Sequence, residues 1–182
     1  MHTKTHHDES SRPFLSRCGD GCGCLTANEY AVLKTLAALI LPSDHLGPGA
    51  AEAGVAAKID RMLANTPSLQ GLYSIGLTAF DQLASMRYQT RFSSLTKSQQ
   101  IELLSLVDEA RRKIYGDVRS LANRIQRKFD YWYYAGWLGL RPVADFWIQV
   151  QADVMTQFYS SQVAWNWLGY EGPPFPLGHA TP

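Results

Sequence analysis

Three cysteines form the one cluster in this sequence whose chemistry could hold a metal or make a covalent link. They are Cys18, Cys22 and Cys24, and no other cysteine occurs in the chain. Three thiolates and a histidine would satisfy tetrahedral zinc, and thiolates also ligate iron–sulfur clusters or form a disulfide with a partner. The Cys-x-x-x-Cys-x-Cys spacing matches none of the established metal-site patterns. We therefore expect a flexible tail with free thiols, with a disulfide or a metal site as alternatives.

The sequence lacks the patterns that mark a catalytic chain. Gly47-Pro48-Gly49 is without the third glycine of a dinucleotide fingerprint and follows no predicted strand. There is no Walker loop, nucleophile elbow, His-Glu-x-x-His helix or Cys-x-x-Cys-His haem attachment motif. His45 and His179 fall in loops near prolines and glycines, where a histidine is far more often solvated than a general base. We therefore expect no catalytic residue in this chain.

Positive charge concentrates between Arg111 and Lys128. Seven of the 17 lysines and arginines lie there, beside one acid, Asp117. Phosphate neutralisation requires clustered cations, so residues 111–128 are a candidate surface for nucleic acid. However, the whole chain has a formal net charge of only +1, and no recognition motif accompanies the cluster. We expect a solvated or partner-facing helix surface without nucleic acid, and a stand-alone helical module that binds nucleic acid is the second hypothesis.

Aromatic residues concentrate in the last third of the chain. Fourteen of the 21 aromatic residues lie between Phe129 and Phe175. Successive residues point around a whole helix, so the four consecutive rings from Tyr131 to Tyr134 cannot all face one core. Exposed Trp and Tyr are favoured anchors of protein interfaces. The sequence thus predicts a partner-binding surface made of Trp132, Tyr134, Trp137, Trp165, Trp167, Tyr170, Pro173, Pro174 and Phe175.

Helical signals position these residues. Thr26 to Glu29 and Thr96 to Gln99 read as capping boxes, and Thr66-Pro67 as an N-cap followed by a proline at the first helical position. There is no sustained period-two alternation of the kind that marks strands. We predict an all-α single domain of about six helices. The apolar stripes are Leu33, Leu36, Ile40; Val55, Ile59, Leu63; Leu72, Ile75, Phe80, Leu83; Ile101, Leu104, Val107; Ile114, Val118, Leu121, Ile125, Phe129; and, after a break at Pro142, Val143, Trp147, Val150, Val154, Phe158.

Composition divides the chain into three parts. Residues 1–24 are polar and predict a disordered tail, and residues 25–164 carry the helical domain. Residues 165–182 contain four of the nine prolines and predict a non-helical docking segment.

Charged residues make up 18% of the chain, below the quarter typical of soluble domains, which suggests a surface kept for a partner. No apolar run reaches the ~18 residues of a membrane span.

Four blocks of residues, in order, resemble one protein family. They are Leu25-Thr26 with Glu29, Leu36-Ala37 and Ile40-Leu41-Pro42; Gly49 to Val55 with Ile59-Asp60 and Leu63; Phe92, Leu95-Thr96, Gln99-Gln100 and Leu103-Leu104; and Trp165-x-Trp167-Leu168-Gly169-Tyr170-x-Gly172-Pro173. Across about residues 25 to 175 the chain resembles the gluconate 2-dehydrogenase subunit 3 family.

The resemblance implies a partner role. Members are small, non-catalytic subunits that aid the folding, stability or export of an FAD-dependent dehydrogenase of glucose–methanol–choline type, which oxidises a sugar or sugar acid. FAD is then expected in that large subunit, haem c in a cytochrome c subunit, and no cofactor in this chain. The first 24 residues hold neither a signal-peptide core nor a twin arginine. The expected compartment is the cytoplasm, or the periplasmic side of the inner membrane if the chain is exported with its partner. A small metal-dependent enzyme that uses the tail cysteines is the third hypothesis.

Overall fold

The chain folds into α-helices. A computed structural model describes residues 23–115 and 140–170. These ranges contain no strand, and only an isolated bridge joins Asp44 to Gly47. The prediction of an all-α fold is therefore confirmed. The elements are α1 (Ala27–Ile40), α2 (Val55–Ala64), α3 (Pro67–Tyr88), a short 3-10 helix (Phe92–Ser94), α4 (Lys97–Tyr115), α5 (Arg141–Tyr159) and α6 (Gln162–Leu168).

Both predicted capping boxes are present. At α1, the Glu29 amide donates to Thr26 Oγ1 at 3.3 Å, and the Thr26 amide donates to Glu29 Oε2 at 2.9 Å. At α4, the Gln99 amide donates to Thr96 Oγ1 at 3.4 Å, and the Thr96 amide donates to Gln99 Oε1 at 3.0 Å. Each box satisfies backbone donors that a helix start would otherwise leave without partners. The sequence thus fixes the starts of α1 and α4 locally.

The start of α3 was predicted correctly only in part. Pro67 does occupy its first turn, but the Thr66 side chain makes no capping hydrogen bond. The backbone ψ of Thr66 is 73°, against 159° at the N-cap Thr26. The Thr66 carbonyl instead accepts a hydrogen bond from the Leu69 amide at 3.1 Å. Thr66 therefore stands at the predicted N-cap position, but the capping hydrogen bond expected from its side chain is not made.

The core is built around α5, which contacts each of the other five helices. Pro142 lies in its first turn, where the missing N–H of proline costs nothing. All five residues of the predicted stripe are buried, and this prediction is confirmed. They are Val143, Trp147, Val150, Val154 and Phe158.

A close crossing joins α3 to α5. A Cβ on Gly76 would lie 2.0 Å from Cγ of Phe146, so only glycine lets the two helices approach this closely. The Phe146 ring packs edge-to-face on Tyr73, with centroids 5.2 Å apart. The Tyr73 hydroxyl donates to Oδ2 of Asp153 at 2.6 Å, and Nε2 of Gln149 donates to the same carboxylate at 3.1 Å. The crossing therefore combines ring packing with a partly buried polar link between Tyr73 and Asp153.

Two residues assigned to buried stripes lie at the surface instead. Ile75 is 56% exposed and Ile101 is 48% exposed. In α3, the face that packs against α5 at Gly76 lies next to the face that carries Ile75. In α4, Leu103 and Val107 are buried in place of Ile101. The buried residues are Tyr73, Gly76, Leu77, Phe80 and Ala84 in α3, and Gln100, Leu103, Val107, Ala110 and Ile114 in α4.

The predicted fifth helix lies mostly outside the described residues. Ile114, expected to begin it, is instead a buried residue of α4. The remainder of that stripe, Val118, Leu121, Ile125 and Phe129, falls in residues 116–139, which the structure does not describe. Within residues 23–115 and 140–170, every helix is too short or too polar to cross a bilayer.

A candidate docking surface at the end of the helical domain

The candidate surface begins with a helix that sequence analysis did not predict. Ser161 is the N-cap of α6, and its side chain accepts the backbone N–H three residues on at 3.1 Å. The helix ends at Gly169, whose φ of 67° suits glycine. Trp165 and Trp167 are therefore helical, and the prediction of a non-helical segment starting at residue 165 was wrong. The prolines behind that prediction begin only at Pro173, and the N-cap signal at Ser161 was missed.

Trp167 fixes α6 against the loop between α1 and α2. Its Nε1 donates to the Leu46 carbonyl at 2.9 Å, and a Cβ on Gly47 would lie 2.6 Å from its ring. The loop itself is held by Asp44, whose Oδ1 accepts from the amides of Leu46 at 2.8 Å and of Gly47 at 3.2 Å. These contacts still leave 47% of Trp167 exposed to solvent. Trp167 thus serves the fold and presents ring surface to solvent.

Trp165 fixes α6 against the end of α5. Its Nε1 donates to the Tyr159 carbonyl at 2.7 Å. Its ring meets Tyr170 edge-to-face, with centroids 5.8 Å apart and an angle of 88°. Tyr170 remains 46% exposed, and Leu168, between them in the chain, is 55% exposed. The structure therefore brings the predicted residues Trp165 and Tyr170 together, while Trp167 contacts a different neighbour.

A second exposed apolar set was missed. Along α5, four residues at steps of four, three and four share one exposed face, and we call them the α5 stripe. The signal was present in the sequence as a second apolar periodicity, but it shares its helix with the stripe that was assigned to the core. The residues of the α5 stripe are Ile148 (44% exposed), Ala152, Met155 (38% exposed) and Tyr159 (46% exposed).

The cysteine cluster is described only at Cys24. That residue is disulfide-bonded and packs against the core, and Nε2 of Gln70 donates to its sulfur at 3.6 Å. The next amide, of Leu25, donates to Oδ1 of Asp60 at 3.0 Å. Cys24 therefore belongs to the folded domain, and its assignment to a flexible tail with free thiols was wrong. A disulfide sulfur offers no thiolate to a metal, while Cys18 and Cys22 lie outside the described residues.

In the described ranges, no group of three or more His, Cys, Asp or Glu residues is placed so that it could hold a metal ion. An open polar cleft beside α3 is lined by residues that include Asp81 and Arg91. Asp81 uses its two oxygens to accept from the Phe92 amide, at 2.9 Å, and from the Asn28 side chain. Its carboxylate thus holds the connection after α3 and serves as a structural acceptor.

The remaining predicted site residues are not described. Trp132, Tyr134, Trp137, Pro173, Pro174 and Phe175 all lie outside the two described ranges. Of the basic cluster, Arg111, Arg112 and Lys113 lie in the last turns of α4. Arg111 and Arg112 both pair with Asp108, at 2.9 Å and 3.3 Å. At this end of residues 111–128, an acid therefore offsets part of the positive charge.

The comparisons with known proteins identify the family. The model of the gluconate 2-dehydrogenase subunit 3 family matches residues 27–172, a range that contains all six described helices. Neither the curated proteins nor the solved structures give a match. The family takes its name from subunit 3 of gluconate 2-dehydrogenase, which implies a dehydrogenase subunit. The chain belongs to the gluconate 2-dehydrogenase subunit 3 family.

Proposed function

We propose that this chain is a non-catalytic accessory subunit that docks onto and stabilises an FAD-dependent dehydrogenase. The partner is a flavoprotein of glucose–methanol–choline type that oxidises a sugar or a sugar acid. Membership of a family of dehydrogenase subunits supports the partner role. The observation that carries the proposal is the exposure of Trp167, Leu168 and Tyr170, at 47%, 55% and 46%, at the end of an ordered helix.

Rigidity makes these side chains good anchors. Trp167 is held by its hydrogen bond to the Leu46 carbonyl, and Tyr170 by its edge-to-face contact with Trp165. A side chain that is already ordered loses less conformational entropy when it docks. Trp and Tyr also contribute disproportionately to binding energy when their rings enter a pocket on the partner. A partner would therefore gain contact area here at low entropic cost.

The proposal divides the chemistry between subunits. FAD belongs to the large subunit, and haem c to a cytochrome c subunit of the same complex. This chain contributes by mass action: a subunit that binds only the folded flavoprotein shifts that protein's folding equilibrium towards the native state. Help in maturation or export follows from the same stabilisation, because a folded complex is what must be delivered.

Co-expression tests the proposal directly. We expect the chain to co-purify at fixed stoichiometry with a glucose–methanol–choline-type flavoprotein of the same genome, with the flavin on the large subunit. The flavoprotein alone should unfold at a lower temperature than the complex. Separate elution of the two chains contradicts docking. A flavin released by heat from this chain purified alone contradicts the division of chemistry.

A further inference from the structure

The α5 helix is apolar on more than its buried side. Its buried stripe faces the other helices, yet the α5 stripe on the exposed side carries Ile148, Met155 and Tyr159 at 44%, 38% and 46% exposure. A surface helix normally places charged and polar residues on its outer face, whereas a helix apolar all round is a buried helix. α5 lies between these two cases: polar residues such as Gln151 and Thr156 are interspersed, but the α5 stripe places four apolar residues on the exposed side.

The chain around the α5 stripe is almost free of charge. Between Phe146 and Tyr170 the only charged residue is Asp153. Its carboxylate faces inward, where it accepts hydrogen bonds from Tyr73 and Gln149. In an ordinary soluble domain about a quarter of the residues are charged, so about six would be expected here. Depletion of charge is the feature that distinguishes the centre of a protein interface from other surface.

The α5 stripe adjoins the exposed residues at the end of α6, which include Leu168 and Tyr170. Tyr159 is its last residue, and the Tyr159 carbonyl accepts the Trp165 indole N–H at 2.7 Å. Trp165 in turn packs on Tyr170. The exposed residues Met155, Tyr159 and Tyr170 therefore belong to elements in direct contact. One partner surface could cover both.

We propose that the α5 stripe docks onto an uncharged, apolar surface of the flavoprotein, as part of one contact with the α6 end. This rests on the proposed function, because the family membership supplies a different polypeptide as the occupant. A membrane surface fits less well. Helices that lie on membranes carry Lys and Arg on their polar face, and residues 146–170 contain neither.

Two lysine substitutions in the α5 stripe, Ile148→Lys and Met155→Lys, test the proposal in the complex of full-length chains. Both positions are exposed, so the isolated chain should keep its circular dichroism spectrum and melting temperature. In the complex, each charge would be buried without a partner. We expect the dissociation constant to rise at least tenfold, measured by titration calorimetry. If either variant misfolds, Ile148→Ala and Met155→Ala replace it, with an expected rise of about threefold to tenfold.

Matched controls come from another part of the surface. Ile101 and Met86 are 48% and 83% exposed, and they lie on α4 and α3 beside the ion pair of Arg87 with Glu102. Ile101→Lys and Met86→Lys should change the dissociation constant by less than twofold. A loss of binding equal to that of the α5 variants would overturn the proposal.

The outcomes separate the inference from the proposed function. If the wild-type chain does not bind the flavoprotein, the proposed function fails and the inference fails with it. If the wild type binds and both α5 variants bind equally well, only the inference is overturned. A homodimer of the isolated chain that Met155→Lys dissociates would instead assign the stripe to a second copy. Binding to anionic phospholipid vesicles that the same substitution abolishes would assign it to a membrane. Either result overturns the inference.

Discussion

At the residue scale, Tyr73 and Asp153 form a polar link across the crossing of α3 and α5. The Tyr73 ring is fully buried, and its hydroxyl donates to Asp153, whose carboxylate also accepts from Gln149. A buried polar group costs free energy unless it is paired. The pairing therefore selects one register of α3 against α5. It also gives the fold a titratable group whose protonation matters.

We predict that stability falls at alkaline pH because of Tyr73. Burial, and then the hydrogen bond and charge of Asp153, raise the pKa of Tyr73 above its ordinary value. In the unfolded chain a tyrosine titrates at about pH 10, so the unfolded state loses this proton first as pH rises. The stabilisation is complete below about pH 10 and is lost progressively above it.

Urea unfolding of Tyr73→Phe from pH 8 to 11 measures this effect. We expect a loss of about 2 kcal/mol at pH 8, because a hydrogen bond to a charged group is removed, and a shallower decline above pH 10 than in the wild type. Tyr170→Phe, at an exposed position, is the control and should keep the wild-type decline. An unchanged alkaline slope in Tyr73→Phe would show that another group causes it.

At the element scale, local signals were predictable and helix orientation was not. Thr26 and Thr96 start their helices through side chains three residues apart, so sequence alone locates them. Ile75 and Ile101 were placed in the core because they fit a helical stripe. Which of two adjoining faces is buried depends, however, on where helices cross, and the α3 crossing is set by the contact of Gly76 with Phe146. That contact joins residues seventy positions apart, beyond the reach of any local pattern.

Two glycines of α3 should respond oppositely to alanine. At Gly76 a Cβ would meet the buried Phe146 ring at 2.0 Å, whereas at Gly71 it would meet nothing within 4 Å. Gly76→Ala should destabilise the fold by about 2 kcal/mol through overpacking. Gly71→Ala should stabilise it by about 0.5–1 kcal/mol, because alanine loses less backbone entropy in a helix. Chemical denaturation of both variants gives the signs, and two changes of the same sign would refute this account of the crossing.

At the scale of the whole molecule, α5 makes the described helices one unit. It contacts all five of the others, and buried residues of all six described helices belong to one hydrophobic cluster. The same arrangement explains why the exposed apolar surface was only partly predicted. Trp167 and Tyr170 were recognised from their aromatic character, but the α5 stripe became visible only once packing had shown which face of α5 was already covered. Two apolar periodicities in one helix look alike in a sequence.

Val150→Ala should therefore weaken the entire fold at once. Val150 is fully buried on α5, and the loss of two methyl groups with the resulting cavity should cost about 2 kcal/mol. We expect far-ultraviolet circular dichroism and tryptophan fluorescence to give coincident unfolding curves, both shifted to lower denaturant. Separate midpoints for the two signals would mean that part of the helical domain unfolds independently of α5.

The central position of α5 also affects how the protein is made. Synthesis proceeds through α1 to α4 before it reaches α5, so the apolar faces of the earlier helices have no complete partner while the chain is still on the ribosome. At about 5–20 residues per second, the interval from the end of α1 to the end of α5 is on the order of ten seconds. During that time the nascent chain exposes binding sites for chaperones. Chains released before α5 is complete would keep those sites exposed and become substrates for proteases.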